Sequence, residues 1–166
     1  MSERFDLGLP GDGSDMWLPS LRARPRESGD SPDRHAANLA MSMPPDPALL
    51  RIVRLVASGL SSLTPMGLDT VDAVRDGVDE LVGTLIDASD GADILVWFVL
   101  DGSELTIDAA TLARGQPFTP SPSSDRALDR LAARHDWRAV GPAVGGTVVY
   151  ELAPGNGSLR LHADPG

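Results

Sequence analysis

Apolar residues recur with the period of a helix between positions 68 and 87. They stand one, three or four residues apart, at Val71, Val74, Val78, Leu81, Val82 and Leu85. This spacing fits the turn of an α-helix, about 3.6 residues, and not the two-residue repeat of a strand. Asp69 is the expected N-cap, because its short carboxylate can accept hydrogen bonds from the free N–H groups of the first turn. The pattern predicts an amphipathic helix that ends near Asp87.

A second stripe on the same helix carries small side chains and one carboxylate. It consists of Ala73, Gly77, Glu80, Thr84 and Asp87, which lie three or four residues apart and so share one face. Such a face can form the wall of a pocket; the alternative is a solvated face whose residues are small by chance. Gly77 costs about 1 kcal/mol of helix stability relative to alanine. We therefore expect a neighbouring group to pack close to the backbone there.

Two further elements precede this helix. Residues 37–43 alternate between apolar side chains and polar or small ones, a pattern that predicts a strand. Asp46 and Pro47 supply an N-cap and a first-turn proline, whose missing N–H is not needed at that position. Apolar residues then recur at helical spacing, which predicts a helix over residues 47–63.

The C-terminal half begins with a predicted hairpin. Residues 94–100 are apolar on both faces, so this strand is expected in a central position, or covered on one face by a partner. Residues 101–103 carry turn chemistry, and residues 104–109 alternate cleanly between apolar and polar side chains. A long proline-rich segment follows at residues 111–124, and irregular segments of this length in a compact domain are often functional.

A short helix and a second hairpin complete the domain. The helix is predicted over residues 125–135, with Ser124 as its N-cap. Residues 137–140 and 147–152 form the two strands, and the glycine-rich residues 141–146 form the turn between them. The complete order of elements, β-α-α-β-β-α-β-β, predicts an α+β two-layer sandwich, in which a mostly antiparallel sheet carries the helices on one face.

Composition sets the domain boundaries. Residues 1–36 are rich in Gly, Pro, Ser, Asp and Arg without a sustained apolar period, and are predicted to be a disordered tail. An apolar cluster at residues 16–18 interrupts this tail; it is either idle or docks on a partner or on the acidic domain. The domain itself is predicted to cover residues 37–154. Residues 155–166 are predicted to be a C-terminal tail.

Charge and composition exclude several classes of function. The chain has 24 acidic and 14 basic residues, which gives a formal net charge of −10. A surface this acidic repels phosphate backbones, so we expect a basic protein partner and no direct nucleic-acid binding. The chain has no cysteine, so disulfide and thiol chemistry are excluded. The three histidines do not cluster with other ligand types, and no metal site is predicted.

The chain is expected to be cytoplasmic. Its N-terminal region lacks the continuous apolar core of a secretory signal. Its longest strongly apolar run, residues 94–100, is far shorter than the roughly 20 residues that a membrane span needs. No membrane association is therefore expected.

The first predicted helix contains residues 51–63 (RIVRLVASGLSSL), and the second contains residues 78–87 (VDELVGTLID). Together with the order of elements, these two segments resemble the histidine-kinase-like ATPase fold, or Bergerat fold. Within it, the resemblance is to the small anti-sigma factor kinases and their actinobacterial relatives. In that family the second helix carries a Glu that acts as general base or orients the attacking group. Four residues later it carries an Asn that holds magnesium against the nucleotide phosphates. Glu80 falls on the first position and Thr84 on the second, one turn apart on the same face. Thr111 stands roughly where the family has the Asp that reads adenine.

This sequence departs from the family pattern at the nucleotide motifs. Thr84 stands in place of Asn, and its hydroxyl is a poorer direct magnesium ligand than an amide carbonyl oxygen. The glycine pair expected beside Thr111 is missing. The glycine-rich turn of the last helix is replaced by residues 123–128, where Asp125 would repel a phosphate. The motifs are eroded, and ATP with magnesium is the expected cofactor only if the site is intact.

Three hypotheses follow. The first is a regulatory anti-sigma-factor-like domain, not an enzyme, that acts by contacts with a sigma factor or an anti-sigma antagonist; its doubly apolar strand would support a homodimer. The second is an active ATP-dependent serine/threonine kinase, with Glu80 as the base and with Thr84 and Thr111 at the nucleotide. The third is a small α+β domain outside this family. Glu80 also has a simpler interpretation, as part of a solvated acidic helix face with Asp76 and Asp79.

Overall fold

The computed structural model describes residues 36–64, 67–113 and 117–152. The chain divides between residues 32 and 33, and every described residue belongs to the second unit, Asp33–Gly166. The apolar cluster of the predicted N-terminal tail and the whole predicted C-terminal tail lie outside the described residues.

The order of elements is the one that the hydrophobic pattern predicts. The strands are β1 (Ala36–Met43), β2 (Ile94–Asp101), β3 (Glu104–Leu112), β4 (Arg134–Val140) and β5 (Ala143–Glu151). The helices are α1 (Leu50–Ser61), α2 (Leu68–Ala88) and α3 (Pro122–Leu131), and a short 3-10 turn, Pro47–Leu49, leads into α1. None of the helices in the described part of the chain is long and apolar enough to cross a membrane.

The strands form one antiparallel sheet of five strands in the order β1-β2-β3-β5-β4. This confirms the α+β class, and the arrangement is compatible with a two-layer sandwich. It also confirms the central position predicted for the apolar strand β2, which lies between β1 and β3. Both hairpins are present, with two-residue turns whose first residue, Gly102 or Gly141, has a positive φ that favours glycine.

The core lies between one face of the sheet and the helices. Alternate residues of the central strands are fully or almost fully buried, among them Val96, Phe98 and Leu100 of β2 and Leu105, Ile107 and Ala109 of β3. The predicted apolar stripe of α2 packs onto them, with Val74, Val78, Leu81, Val82 and Leu85 all fully buried. The helical period therefore identified the face of α2 that is buried in the core.

The structure corrects two of the predicted helix caps. The N-cap of α2 is Gly67, without a side-chain hydrogen bond, and Asp69 lies in the first turn. The N-cap of α3 is Ser121, whose hydroxyl accepts a hydrogen bond from the Ser124 N–H at 3.1 Å. The helix starts earlier than predicted because Pro122 has a φ suited to the first helical position and needs no N–H partner there. The cap at Asp46 is confirmed, since its carboxylate accepts from the Ala48 N–H at 2.8 Å.

The strands are longer than the sequence pattern predicts. β3 continues to Leu112, so Thr111 lies in a strand and not in the irregular segment. The predicted glycine-rich turn is also wrong: only Gly141 and Pro142 form the turn, and β5 begins at Ala143. Pairing explains both differences, because Ala143 is opposite Leu112 and the first residues of β5 complete the ladder with β3.

Candidate functional site

α2 packs against both α1 and α3, and two adjacent acidic residues of this helix have different surroundings. Asp79 accepts a hydrogen bond from the Arg54 Nε of α1, and this bond raises the pKa of the Arg54 guanidinium above its ordinary value. Glu80, the next residue, points about 100° further around the helix. It is half-buried and makes no hydrogen bond or ion pair with the described residues. One carboxylate therefore holds α1, and the next remains available.

Thr84 lies one turn after Glu80 and faces the start of α3. Its hydroxyl donates to the Ser124 Oγ at 3.3 Å, and the Ser124 hydroxyl lies 2.9 Å from that of Ser121. The Ser123 hydroxyl joins the same group, 2.7 Å from Ser121. Thr84 is thus part of a hydroxyl network that ties the middle of α2 to the N-terminus of α3.

Thr111 belongs to a different network. It is 5% exposed, and its hydroxyl lies 3.1 Å from the Asp93 carbonyl and 3.3 Å from the Ala92 carbonyl. The Ser89 hydroxyl is a further partner at 3.2 Å. These contacts fix β3 to the segment that follows α2. The structure brings Glu80 and Thr84 onto one helix face, and no hydrogen bond among the described residues links either of them to Thr111.

A cluster that the sequence interpretation missed joins α3 to β4. The Asp125 Oδ1 accepts from the Trp137 indole N–H at 2.9 Å and lies 3.4 Å from the His135 Nε2. The other ring nitrogen of His135 is 3.6 Å from the Asp129 Oδ1. Trp137 also meets Phe118 edge to face, with ring centroids 5.7 Å apart. Two features of the sequence indicate this cluster: the pair of acidic residues four positions apart on α3, and the alternating aromatic residues of β4.

A cavity of about 260 Å³ lies at the other end of the small-residue stripe. It is formed by the first turns of α2, the end of α3, the connection between α3 and β4, and the end of β5. Its lining residues are Asp69, Thr70, Ala73, Leu131, Ala133, Tyr150 and Glu151. Tyr150 is only 2% exposed, and its hydroxyl has no hydrogen-bond partner among the described residues. Burial, with a smaller contribution from the Asp76 charge, raises the pKa of Tyr150 well above its ordinary value.

We expect this raised pKa to make the protein less stable as the pH rises above about 10, the ordinary pKa of tyrosine. In that range the unfolded chain has lost the tyrosine proton and the folded chain retains it, so the free energy of unfolding falls by up to about 1.4 kcal/mol per pH unit. The chain has one tyrosine and no lysine, so few other groups titrate there. Urea unfolding at several alkaline pH values, with tyrosinate absorbance recorded in parallel, measures the effect. The decrease of the free energy of unfolding with pH should disappear in Tyr150→Phe. Ionisation of Tyr150 near pH 10 in the folded protein would contradict the prediction.

The described residues contain no group of three or more His, Asp or Glu side chains placed to hold a metal ion. Comparison of the chain with models of known protein families and with curated proteins finds no match. The resemblance to the anti-sigma factor kinases accordingly rests on the two helix segments and the order of elements.

Proposed function

We propose that this chain is a cytoplasmic regulatory domain of the anti-sigma-factor type, with a Bergerat-like fold, that acts by protein contacts. The partner class is the one that the family resemblance implies, a sigma factor or an anti-sigma antagonist. The formal net charge of −10 suits a partner that presents a basic surface.

The observation that carries this proposal is the direct packing of α3 on the face of α2 that holds Glu80 and Thr84. In the family, that face looks onto a nucleotide. Here the Thr84 hydroxyl donates to Ser124, and the start of α3 presents the Asp125 carboxylate, which is already bonded to Trp137. A phosphate would meet a negative charge where it needs N–H donors. This arrangement favours a domain without nucleotide chemistry.

An exposed apolar surface on α1 supports the protein-contact part of the proposal. Ile52 is 42% exposed and Leu55 is 73% exposed, and their spacing of three residues places them on one face of the helix. Gly59 follows one turn later, and a methyl group added there would meet nothing within 4 Å. No described residue packs against this position, and a partner backbone that approaches the helix closely would account for the glycine.

The second candidate function is an active serine/threonine kinase that binds ATP and magnesium. It is favoured by one observation: Glu80 is half-buried and has no partner among the described residues, as a general base would require. In this alternative Thr84 would approach magnesium through water and Thr111 would lie towards the base of the nucleotide.

Titration calorimetry separates the two candidates. We expect no heat of binding from ATP at about millimolar concentration, with or without magnesium, for the wild type and for Glu80→Ala. We expect heat from a sigma factor or antagonist of the same source organism, unchanged by ATP. Leu55→Ser should weaken that binding about tenfold, which corresponds to about 1.4 kcal/mol.

Leu68→Ser is the matched control, because Leu68 is an equally apolar and exposed residue at the start of a different helix. It should leave partner binding unchanged. Magnesium-dependent ATP binding in about the micromolar range, weakened by Glu80→Ala, would overturn the proposal in favour of the kinase.

A further inference from the structure

β1 forms an edge of the sheet, and its outer side pairs with no described strand. Its eight residues pair with β2 in continuous register, without a bulge. Exposed edge strands usually carry charged residues or proline, which prevent pairing with another chain. The opposite edge strand, β4, has this protection in Arg134, Asp136 and Arg138. The sequence of β1, AANLAMSM, contains no charged residue and no proline, so its edge is open to a further strand.

The distribution of charge favours a second copy of the chain as the source of that strand. With a formal net charge of −10, two copies repel each other. β1 and α1 are regions where this repulsion is weakest, because neither element contains an acidic residue. A basic partner finds no opposite charge to recognise on β1, whereas a second copy meets no like charge on this strand.

The residues of β1 are also complementary to themselves. A two-fold axis perpendicular to the sheet reverses the direction of the strand, so two β1 strands pair antiparallel. In every register that such an axis allows, odd-numbered residues lie opposite odd-numbered residues. From position 37 onwards these are all apolar: Ala37, Leu39, Met41 and Met43. Leu39 is 40% exposed in the single chain, and a register centred on any of residues 38–41 covers it with an apolar side chain.

The same axis brings the two α1 helices towards each other on one face of the sheet. Asp79, which contacts α1, and Thr84, which contacts α3, point about 140° apart around α2. α2 thus lies between α1 and α3, and because α3 packs against β4, α1 lies towards the β1 edge. Ile52 is about 200° around α1 from Arg54, which faces α2. Ile52 therefore points towards the open edge, and it is 42% exposed.

We propose that two copies of the chain form a homodimer through β1. The two β1 strands pair antiparallel and join the sheets, and Ile52 of each copy lies beside the seam. Leu55, one position after Arg54, points about 100° away from it and remains available to another partner. The inference goes beyond the proposed function and does not depend on it.

Sedimentation equilibrium of the full chain tests for this dimer. We expect a monomer–dimer equilibrium with a dissociation constant in about the micromolar range. Leu39→Lys places a charge at the seam in both copies and should raise this constant at least about tenfold. Ile52→Ser should raise it severalfold, because less apolar surface is buried beside the seam. Urea denaturation of each variant shows whether the monomer is still folded.

Val140→Lys is the matched control for Leu39→Lys. Val140 is 41% exposed and lies at the end of the other edge strand, β4, so the same charge there should leave the dissociation constant unchanged. Leu55→Ser is the control for Ile52→Ser, since it changes a residue of the same helix that points away from the seam.

A spin label locates the contact directly. The chain has no cysteine, so Ala40→Cys provides a single attachment site on β1 and Val140→Cys a single site on β4. We expect dipolar broadening between copies from the label on β1, lost on dilution with unlabelled protein, and none from the label on β4. A chain that stays monomeric up to about millimolar concentration would overturn the proposal. So would a dimer that is as sensitive to Val140→Lys as to Leu39→Lys, or one in which the β1 label shows no broadening.

Discussion

Replacing Asp108 by alanine is expected to lower the free energy of unfolding by about 3 kcal/mol. This carboxylate is 3% exposed and lies on the face of the sheet opposite to the helices. It accepts hydrogen bonds from the Arg138 guanidinium at 3.1 Å and from the Thr147 hydroxyl, and Arg138 also donates to Thr147. The side chain of Arg138 is only 26% exposed. Removing the carboxylate leaves a mostly buried cation without its counter-charge, which costs more than the hydrogen bonds alone.

Urea denaturation of four variants tests this prediction. Asp108→Asn keeps an acceptor and should cost less than Asp108→Ala. The double variant Asp108→Ala/Arg138→Met should recover much of the loss, because the unpaired cation is removed together with its partner. Glu104→Ala is the matched control on the same strand: it breaks the exposed pair with Arg134 and should cost less than about 1 kcal/mol. If Asp108→Ala cost no more than Glu104→Ala, the buried pair would not contribute to stability as proposed.

The elements that the sequence predicts well are those whose pattern is local. The buried face of α2 follows from the spacing of its own apolar residues, and the turn between β2 and β3 follows from Gly102 and its neighbours. The order of elements and the α+β class need little more than these local patterns. Caps are less predictable, because several acceptors compete within a few residues: Ser121 and Ser124 are both good N-caps, and Pro122 decides between them.

The glycines of β5 show where local patterns fail. Gly146 and its neighbours have the composition of a turn, yet they pair with β3 as a regular strand. A methyl group on Gly146 would lie 2.7 Å from both the Leu81 Cδ1 and the Trp137 Cε3. The residue is small because a tryptophan of the neighbouring strand and a leucine of α2 pack over its backbone. Those contacts arise from residues distant in sequence, and no local pattern indicates them.

Some features of the candidate site also follow from the local sequence, and others depend on how the elements pack. That Glu80 and Thr84 share a helix face follows from their spacing of four residues. That Thr84 donates to Ser124, and that Asp125 accepts from Trp137, depends on how α3 packs against α2 and β4. One wall of the cavity could be predicted from the sequence, and the opposite wall could not. Ala73 belongs to the small-residue stripe predicted to line a pocket, whereas the opposite wall comes from the last strand of the domain.

Gly77 gives the second prediction with a large effect, and here the expectation of close packing is confirmed. A methyl group on this residue would lie 1.8 Å from the Tyr150 Oη and 3.0 Å from its Cζ. We expect Gly77→Ala to lower the free energy of unfolding by about 2 kcal/mol, although alanine favours the helix by about 1 kcal/mol. The loss arises because Tyr150 is held in the core and cannot move aside without disturbing its neighbours.

Gly83→Ala is the matched control for Gly77→Ala. It lies on the same helix, where an added methyl group meets nothing within 4 Å, and it should raise the free energy of unfolding by up to about 1 kcal/mol. Tyr150→Phe removes the clashing oxygen, so Gly77→Ala should cost less than half as much in that background. Urea denaturation of the four proteins of this double-mutant cycle measures the coupling between the two residues. If Gly77→Ala stabilised the protein as Gly83→Ala does, the tyrosine would have to move freely, and its hydroxyl would not be held against the backbone of α2.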